Sequence, residues 1–485
     1  MMTQQDLEKY LWGAATTLRG TIDAGDYKQY IFPLMFFKRI SDVYDEEFEN
    51  ALAESDGDLE YAAFAENHHF QVPEGGHWND VRETTVNIGL ALQNAMRAIE
   101  KANPETLEGI FGDASWTNKD RLSDAMLTNL IEHYSEQTLN LKNVPDDKLG
   151  NAYEYLIKEF ADDSGHTAAE FYTNRTVVKL MTMIMDPQPG ESVYDPTCGS
   201  GGLLLNCALH LKDEGKEYRT LKLYGQEINL LTSAIARMNM FMHGIEEFDI
   251  VRGNTLSNPG LLENDELKKF NVILANPPYS IKSWDRKAFE SDPYGRNVWG
   301  TPPQGCADYA FQQHIQKSLD LGNGRSCVLW PYGVLFRDAE TEMRQKMIGE
   351  DLVECVIALG KNLFYNSTME SCLLITSNQK EHSRKGKVLF IDAREELKNE
   401  KTISYLMPEH LVKIFQTYKD FKNVPAFSYV AELDEILEKG SSLSIPLFVK
   451  KERKLMLEPQ EAYEAWDISS TELKECMNKI EGVLK

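Results

Sequence analysis

The sequence predicts an α/β fold: a mostly parallel sheet covered by helices, preceded by an all-helical domain and followed by a helical tail. Three observations carry that prediction. Helical periodicity fills the chain up to about residue 165. Short apolar strands then alternate with helical stretches from Thr167 to about Asp392, and the segments beyond residue 400 turn back to helix and loop with many charges. With domains of roughly 100–200 residues as the rule, the expected division is 1–165, 166–400 and 401–485.

In the first region Leu7, Tyr10, Leu11, Ala14 and Leu18, then Ile31, Leu34, Met35, Phe37 and Ile40, recur mostly at three- and four-residue intervals, as on a helix with one apolar face. Pro33 marks a helix start or a kink, because its ring removes a backbone donor. Further helices are expected over 86–101, 122–141 and 146–160, with a loop over 67–79 where Pro73, Gly75 and Gly76 cluster. Strands are expected over 192–194, 222–225, 249–252, 272–275, 326–330, 355–359, 371–376 and 388–391. Strand followed by helix at near-regular spacing argues for a parallel sheet. The last two strands have little helix between them, which predicts an antiparallel strand at the sheet edge. Residues 433–439 and 470–484 read as amphipathic helices.

The formal net charge is −25. Phosphate neutralisation dominates DNA affinity, so a chain gripping DNA alone should carry a basic face. Two readings follow: an acidic enzyme without a nucleic-acid role, or one whose DNA contacts come mostly from a partner. Cys198, Cys207, Cys306, Cys327, Cys355, Cys372 and Cys476 are scattered, with no Cys-x-x-Cys pair and few histidines nearby, so no metal site is expected. They fit free thiols in a reducing cytoplasm. No apolar run reaches the ~18 residues a membrane span needs.

Ser192-Val193-Tyr194-Asp195-Pro196-Thr197-Cys198-Gly199-Ser200-Gly201-Gly202 reads as a strand, an acid at its end and a glycine-rich turn into a helix. Such glycines let backbone approach a ligand closely, and ligands of open α/β sheets bind beyond the carboxyl ends of the strands. No Lys-Ser/Thr follows, so this is not a Walker loop, and the spacing is not that of the usual dinucleotide turn. Alone it is a nucleoside site or merely a tight turn. One unit later Glu227 ends the next strand, where a carboxylate clamps ribose hydroxyls or is simply a solvated acid. Asn254 ends the third strand and is a candidate contact for an adenine ring. Asp195, Glu227, Asn254 and Asn276 thus recur in step, a pattern packing does not explain.

The fourth strand ends in Asn276-Pro277-Pro278-Tyr279. Two prolines fix the backbone and remove two donors. Asn276 Oδ1 and the Pro277 carbonyl can accept both protons of an exocyclic amine and aim its lone pair at a sulfonium methyl. Tyr279 offers an aromatic face to a base swung out of its stack. The methyl group is already activated, so orientation and hydrogen bonds suffice. No Pro-Cys dipeptide is present, which counts against cytosine C5 chemistry.

At these residues the chain resembles the modification subunits of type I restriction-modification systems, among the amino-methyltransferases of DNA, over nearly its whole length. The resemblance implies a Rossmann-like S-adenosylmethionine-dependent methyltransferase sheet. Asp195–Gly202 is similar to the first cofactor motif and Asn276–Tyr279 to the catalytic one. Glu170-Phe171-Tyr172-Thr173 resembles the motif packed over the cofactor's ends, continuing into Asn174 and Arg175; its place before the glycine turn matches the gamma group. On the residues alone, Phe171 and Tyr172 are equally core aromatics. Asn174 stands where the family usually has proline, which leaves that loop less stiff. Leu18-Arg19-Gly20 and Phe36-Phe37-Lys38-Arg39-Ile40-Ser41-Asp42 resemble the family's helical domain for assembly and DNA clamping. Ala307-Asp308-Tyr309-Ala310-Phe311 resembles a pocket-lining motif, or is an apolar helix face. Loop 292–305 is a lid over DNA or a surface excursion.

The resemblance further implies S-adenosylmethionine as cofactor, N6 of adenine in double-stranded DNA as target, and a cytoplasmic complex. Its partners would be a DNA specificity subunit, a second copy of the chain and a restriction subunit. Two alternatives keep the fold: an amino-methyltransferase for a protein glutamine or a ribosomal RNA base, and an inactive scaffold. The long helical domain and tail count against the first, the intact motif residues against the second.

Overall fold

The computed structural model describes residues 2–18, 22–163, 173–363, 369–400 and 404–450, with separate residues between 460 and 477. The first region is helical as expected: α1 (Gln4–Thr16), α2 (Lys28–Glu54), α3 (Ile88–Ala102), α4 (Asp124–Ser135) and α5 (Asp146–Asp163). Pro33 lies inside α2 and neither starts nor ends it. Leu11, Tyr30, Phe37, Leu92, Leu130 and Tyr153 close one core between these helices.

The main sheet has nine strands: β1 (Ser192–Asp195), β2 (Lys222–Glu227), β3 (Phe248–Arg252), β4 (Val272–Ala275), β5 (Arg325–Pro331), β6 (Val353–Leu359), β7 (Ser371–Ser377), β8 (Lys387–Ala393) and β9 (Ser428–Glu432). Their spatial order is β9-β8-β6-β7-β5-β4-β1-β2-β3. Seven run parallel. β7 is antiparallel to both neighbours, β5 and β6, and β9 is antiparallel to β8. Every residue of β4, β6 and β7 is buried, as befits a sheet covered on both faces. The period-two alternation shows directly. Val193 and Leu274 face a core with α6 (Arg175–Met185), α7 (Gly202–Asp213) and α11 (Pro408–Asp420), while Tyr194 and Ile273 face α9 (Asp308–Ser318) and α10 (Thr341–Gly349).

Two features differ from the sequence reading. The antiparallel strand next to β8 in sequence is not at the edge. β7 inserts between β5 and β6, where its wholly buried residues are covered on both faces. The antiparallel edge strand is β9, from residues read as helix and loop; Tyr429 and Val430 are only half-buried, so its pattern is faint. Ile414 of α11 and Phe448 beyond β9 complete the two sheet cores.

The helical domain docks on α8 (Leu230–Met242). One side of α8 gives Ala236 and Met240 to the sheet core; the other gives Ile235 and Met238 to the helical core. At about 1.5–3 kcal/mol per buried large apolar side chain, α8 helps to close both cores and so ties the two units together. The Tyr153 hydroxyl donates to the Ile235 carbonyl at 3.1 Å.

Candidate active site

Glu227 and Asp195 end β2 and β1, and Asn254 and Asn276 lie just past β3 and β4; the four strands are adjacent and parallel, so all four residues stand on one edge in spatial order. At about 4.8 Å per strand they span about 14 Å of that edge.

The glycine turn starts from Asp195, whose Oδ1 accepts from the Thr197 N–H at 3.0 Å. The Cys198 N–H donates to the Gln226 carbonyl at 2.9 Å, tying the turn to β2. Gly199 and Gly201 have φ of +53° and +78°, a region costly for residues with a Cβ. Glu227 reaches back: Oε2 accepts from the Gly199 N–H at 3.1 Å and Oε1 from the Asn229 N–H at 2.9 Å. Burial raises the Glu227 carboxyl above its usual range. Burial, aided by the Glu227 charge, pushes Asp195 up to about 8. Two crowded acids beside a glycine turn fit a partner bearing hydroxyls or a positive charge. The Pro196 carbonyl accepts from the Thr255 hydroxyl, which joins the turn to the segment after β3. Asn254 is exposed, and its Oδ1 is taken by the Leu256 and Ser257 N–H groups, so only its amide nitrogen faces outward.

Glu170, Phe171 and Tyr172 lie outside the described residues. Thr173 is described, and its Oγ1 accepts from Asn276 Nδ2 at 3.0 Å. That bond turns the amide oxygen of Asn276 outward, toward Tyr279, whose hydroxyl donates to it at 2.7 Å. Asn174 is buried and structural: it accepts from the Thr176 N–H as the cap of α6 and donates to the Ser404 carbonyl. The side chain expected at the cofactor thus also serves as a helix cap. Arg175 lies against the start of α7. A Cβ on Gly202 would come within 1.8 Å of its Nη1, so a larger residue there would have to push the guanidinium aside. The segment from Thr173 to Arg175 therefore joins the Asn276 corner to the glycine turn. Ser200 is buried in that turn, and its carbonyl accepts from Asn239 Nδ2 at 3.0 Å.

The corner after Pro277 and Pro278 is held from behind. Ser280 takes a left-handed φ of +51°, and its N–H donates to Asp308 Oδ1 at 2.7 Å. The other oxygen of Asp308 accepts from Arg337 Nη2 at 2.6 Å, and Arg337 Nε donates to Glu340 at 2.8 Å. Cys306 is also within ligand range of Asp308 and Glu340, but Arg337 already bridges the two carboxylates. Tyr309 and Phe311 are buried core residues.

The excursion over 292–305 is riveted down. Buried Arg296 pairs with Asp292 at 2.6 Å and donates to the Thr255 and Leu256 carbonyls at 2.9 and 2.7 Å. Sequence reasoning missed this anchor, and it missed Ile228, an apolar side chain left 60 % exposed beside Glu227. An isoleucine directly after a strand-end acid was the available signal. The six cysteines among the described residues are free and buried. No helix among the described residues is long and apolar enough to cross a membrane.

A doubly wound sheet with a glycine turn on its first strand and an Asn-Pro-Pro-Tyr corner on its fourth is the arrangement of a methyltransferase. Residues 144–455 match the N-6 DNA Methylase family and residues 7–134 the HsdM N-terminal domain. The chain belongs to the N-6 DNA Methylase family, and its reaction is methyl transfer to the N6 amine of adenine in DNA. It is 31% identical to the type I restriction enzyme HindI methylase subunit of Haemophilus influenzae over 76% of this chain and 82% of that protein. Identity to the MjaVII methylase subunit of Methanocaldococcus jannaschii is 27% over 100% of this chain and 85% of that one. The crystal structure of the type I restriction-modification methyltransferase subunit of Streptococcus thermophilus superimposes with a TM-score of 0.79 at 29% identity, covering 93% of this chain and all of that one.

Proposed function

We propose that this chain is the modification subunit of a type I restriction-modification complex in the cytoplasm, using S-adenosylmethionine as methyl donor. A separate specificity subunit supplies sequence recognition, a second copy of the chain completes the methyltransferase, and a restriction subunit joins it for cleavage. The single observation that carries the reading is a line of contacts: Asn276, Thr173, Arg175 and Gly202 run continuously from the diproline corner to the glycine turn.

The residues fit the cofactor. Glu227 and Asp195 would hold its ribose hydroxyls and ammonium group, Ile228 would lie along its adenine, and Gly199–Gly202 would admit it against bare backbone. When bound it supplies an activated methyl group. Asn276 Oδ1 and the Pro277 carbonyl accept the two protons of the adenine amine, which leaves its lone pair free to attack. Thr173 keeps the Asn276 amide from rotating. Tyr279 stacks on the extruded base after releasing Asn276 Oδ1. The proton lost on methylation leaves through these acceptors to solvent.

We further propose a catalytic unit that runs to about residue 450, since β9 closes its sheet. Tyr463, Trp466 and Leu473, all exposed, support a subunit contact by the tail. The net charge of −25 favours partner-supplied DNA contacts. The test is labelled methyl transfer to unmodified DNA by the chain alone and with its co-purified specificity subunit, followed by mapping of methylated adenines. Transfer by the complex alone supports the proposal; sequence-specific methylation by the isolated chain overturns the division of labour.

A further inference from the structure

The glycine turn is braced by a helix that packs in the other core. Glu154 sits on α5, whose Leu149, Tyr153 and Leu156 close the helical core although the N-6 DNA Methylase match already begins at residue 144. One of its oxygens accepts from Arg175 Nε at 2.5 Å and the other from Asn239 Nδ2 at 2.7 Å. The same Asn239 amide reaches the Ser200 carbonyl at 3.0 Å, inside the turn. Arg175 in turn lies on Gly202, the first residue of α7.

We propose that Glu154 is a positioning residue through which the helical domain shapes the cofactor crevice. The physical need for it is specific. The N-terminus of a helix carries a partial positive charge, and a guanidinium packed on the start of α7 is repelled by it. Glu154 offsets that repulsion and holds Arg175 flat on Gly202, while through Asn239 it fixes the Ser200 carbonyl. Burial works against the Glu154 charge, yet Arg175 and then His243 keep its carboxyl below the usual range, so the brace is charged.

Asn239 rides on α8, the helix shared by both cores. Domain docking and turn geometry are therefore one equilibrium. By linkage, cofactor binding strengthens docking by the same factor that docking strengthens cofactor binding.

The inference rests on the cofactor reading above, and calorimetry on the full chain with S-adenosylmethionine separates the two. Absence of binding by the unmodified chain removes the cofactor reading, and this proposal with it. Given binding, Glu154→Gln keeps the shape and removes the charge; the expected result is a Kd about tenfold higher, the loss of a charge-assisted hydrogen bond. At saturating cofactor, kcat of the complex stays within about threefold, because the Asn276 corner is untouched. Asn239→Ala is expected to weaken binding similarly. The double variant should lose far less than the product of the two, since both act through one network. Losses that multiply, or a Kd for Glu154→Gln within about twofold of the parent, overturn the proposal. Should Glu154→Gln melt below the assay temperature, Asn239→Ser, which cuts the tie to Ser200, decides by the same Kd criterion.

Discussion

The Tyr279 hydroxyl donates to Asn276 Oδ1 at 2.7 Å, so the oxygen proposed to accept the target amine is already satisfied by the ring proposed to stack on the target. Exchanging one hydrogen bond for another is close to neutral, so the tyrosine can yield when a base arrives. Tyr279→Phe keeps the face and frees the acceptor; transfer should stay within about threefold of the parent. Tyr279→Ala should fall by about 10–100-fold, because base–aromatic stacking is worth about 1–3 kcal/mol. Single-turnover transfer by the complex distinguishes the two.

Asn276→Ala removes the acceptor and leaves Asp195, Glu227 and the glycine turn intact. S-adenosylmethionine affinity by calorimetry should stay within about twofold, and methyl transfer should vanish. Loss of cofactor binding would mean that Asn276 has been assigned to the wrong half of the site.

Asp308 holds the Ser280 N–H and Arg337 at once. Asp308→Ala leaves the Ser280 N–H unpaired and Arg337 held by Glu340 alone, and lets the diproline corner drift. A drift of about 1 Å costs about 10²-fold in kcat, with KM for the cofactor little changed. Asp308→Asn keeps one acceptor oxygen for Ser280 and should recover most of that loss. Steady-state kinetics on both variants checks the ordering.

Asp195 yields a pH signature. Its carboxyl is raised from an ordinary value near 4 to about 8, so the folded chain binds a proton that the unfolded chain has released between those pH values. Stability must therefore fall as pH rises from about 4 to about 8. Asp195→Asn should melt higher than the parent at pH 8, by at least about 2 °C, while losing cofactor affinity. Melting curves across pH 5–8 test both; a flat profile for the parent chain would show that Asp195 is not the group responsible.

What was legible in the sequence was local. A strand, a terminal acid and a glycine turn occupy a dozen neighbouring residues, and Asn276–Tyr279 carries its geometry in two prolines. Nothing of that kind signals the bond between Thr173 and Asn276, 103 residues apart. The same holds for Glu154 reaching Arg175 and for Arg296 riveting its loop to the Thr255 carbonyl. Asn174 looked like a site residue because of its neighbours in sequence, yet its own amide is spent on a helix cap and on Ser404. The order of strands was equally hidden. Burial of β7 on both faces marks it as central, but only tertiary pairing decides that it inserts between β5 and β6.

The edge strand β9 has a consequence for biosynthesis. Its pairing partner β8 ends at Ala393, yet β9 begins only at Ser428. During translation, which proceeds from the N-terminus, the nascent helical bundle and the first eight strands emerge with β8 presenting unpaired backbone groups, the kind of flank that invites pairing between chains. A chain cut near residue 400 would thus expose the flank of almost wholly buried β8, whereas one reaching residue 450 ends the sheet on the shorter, half-buried β9.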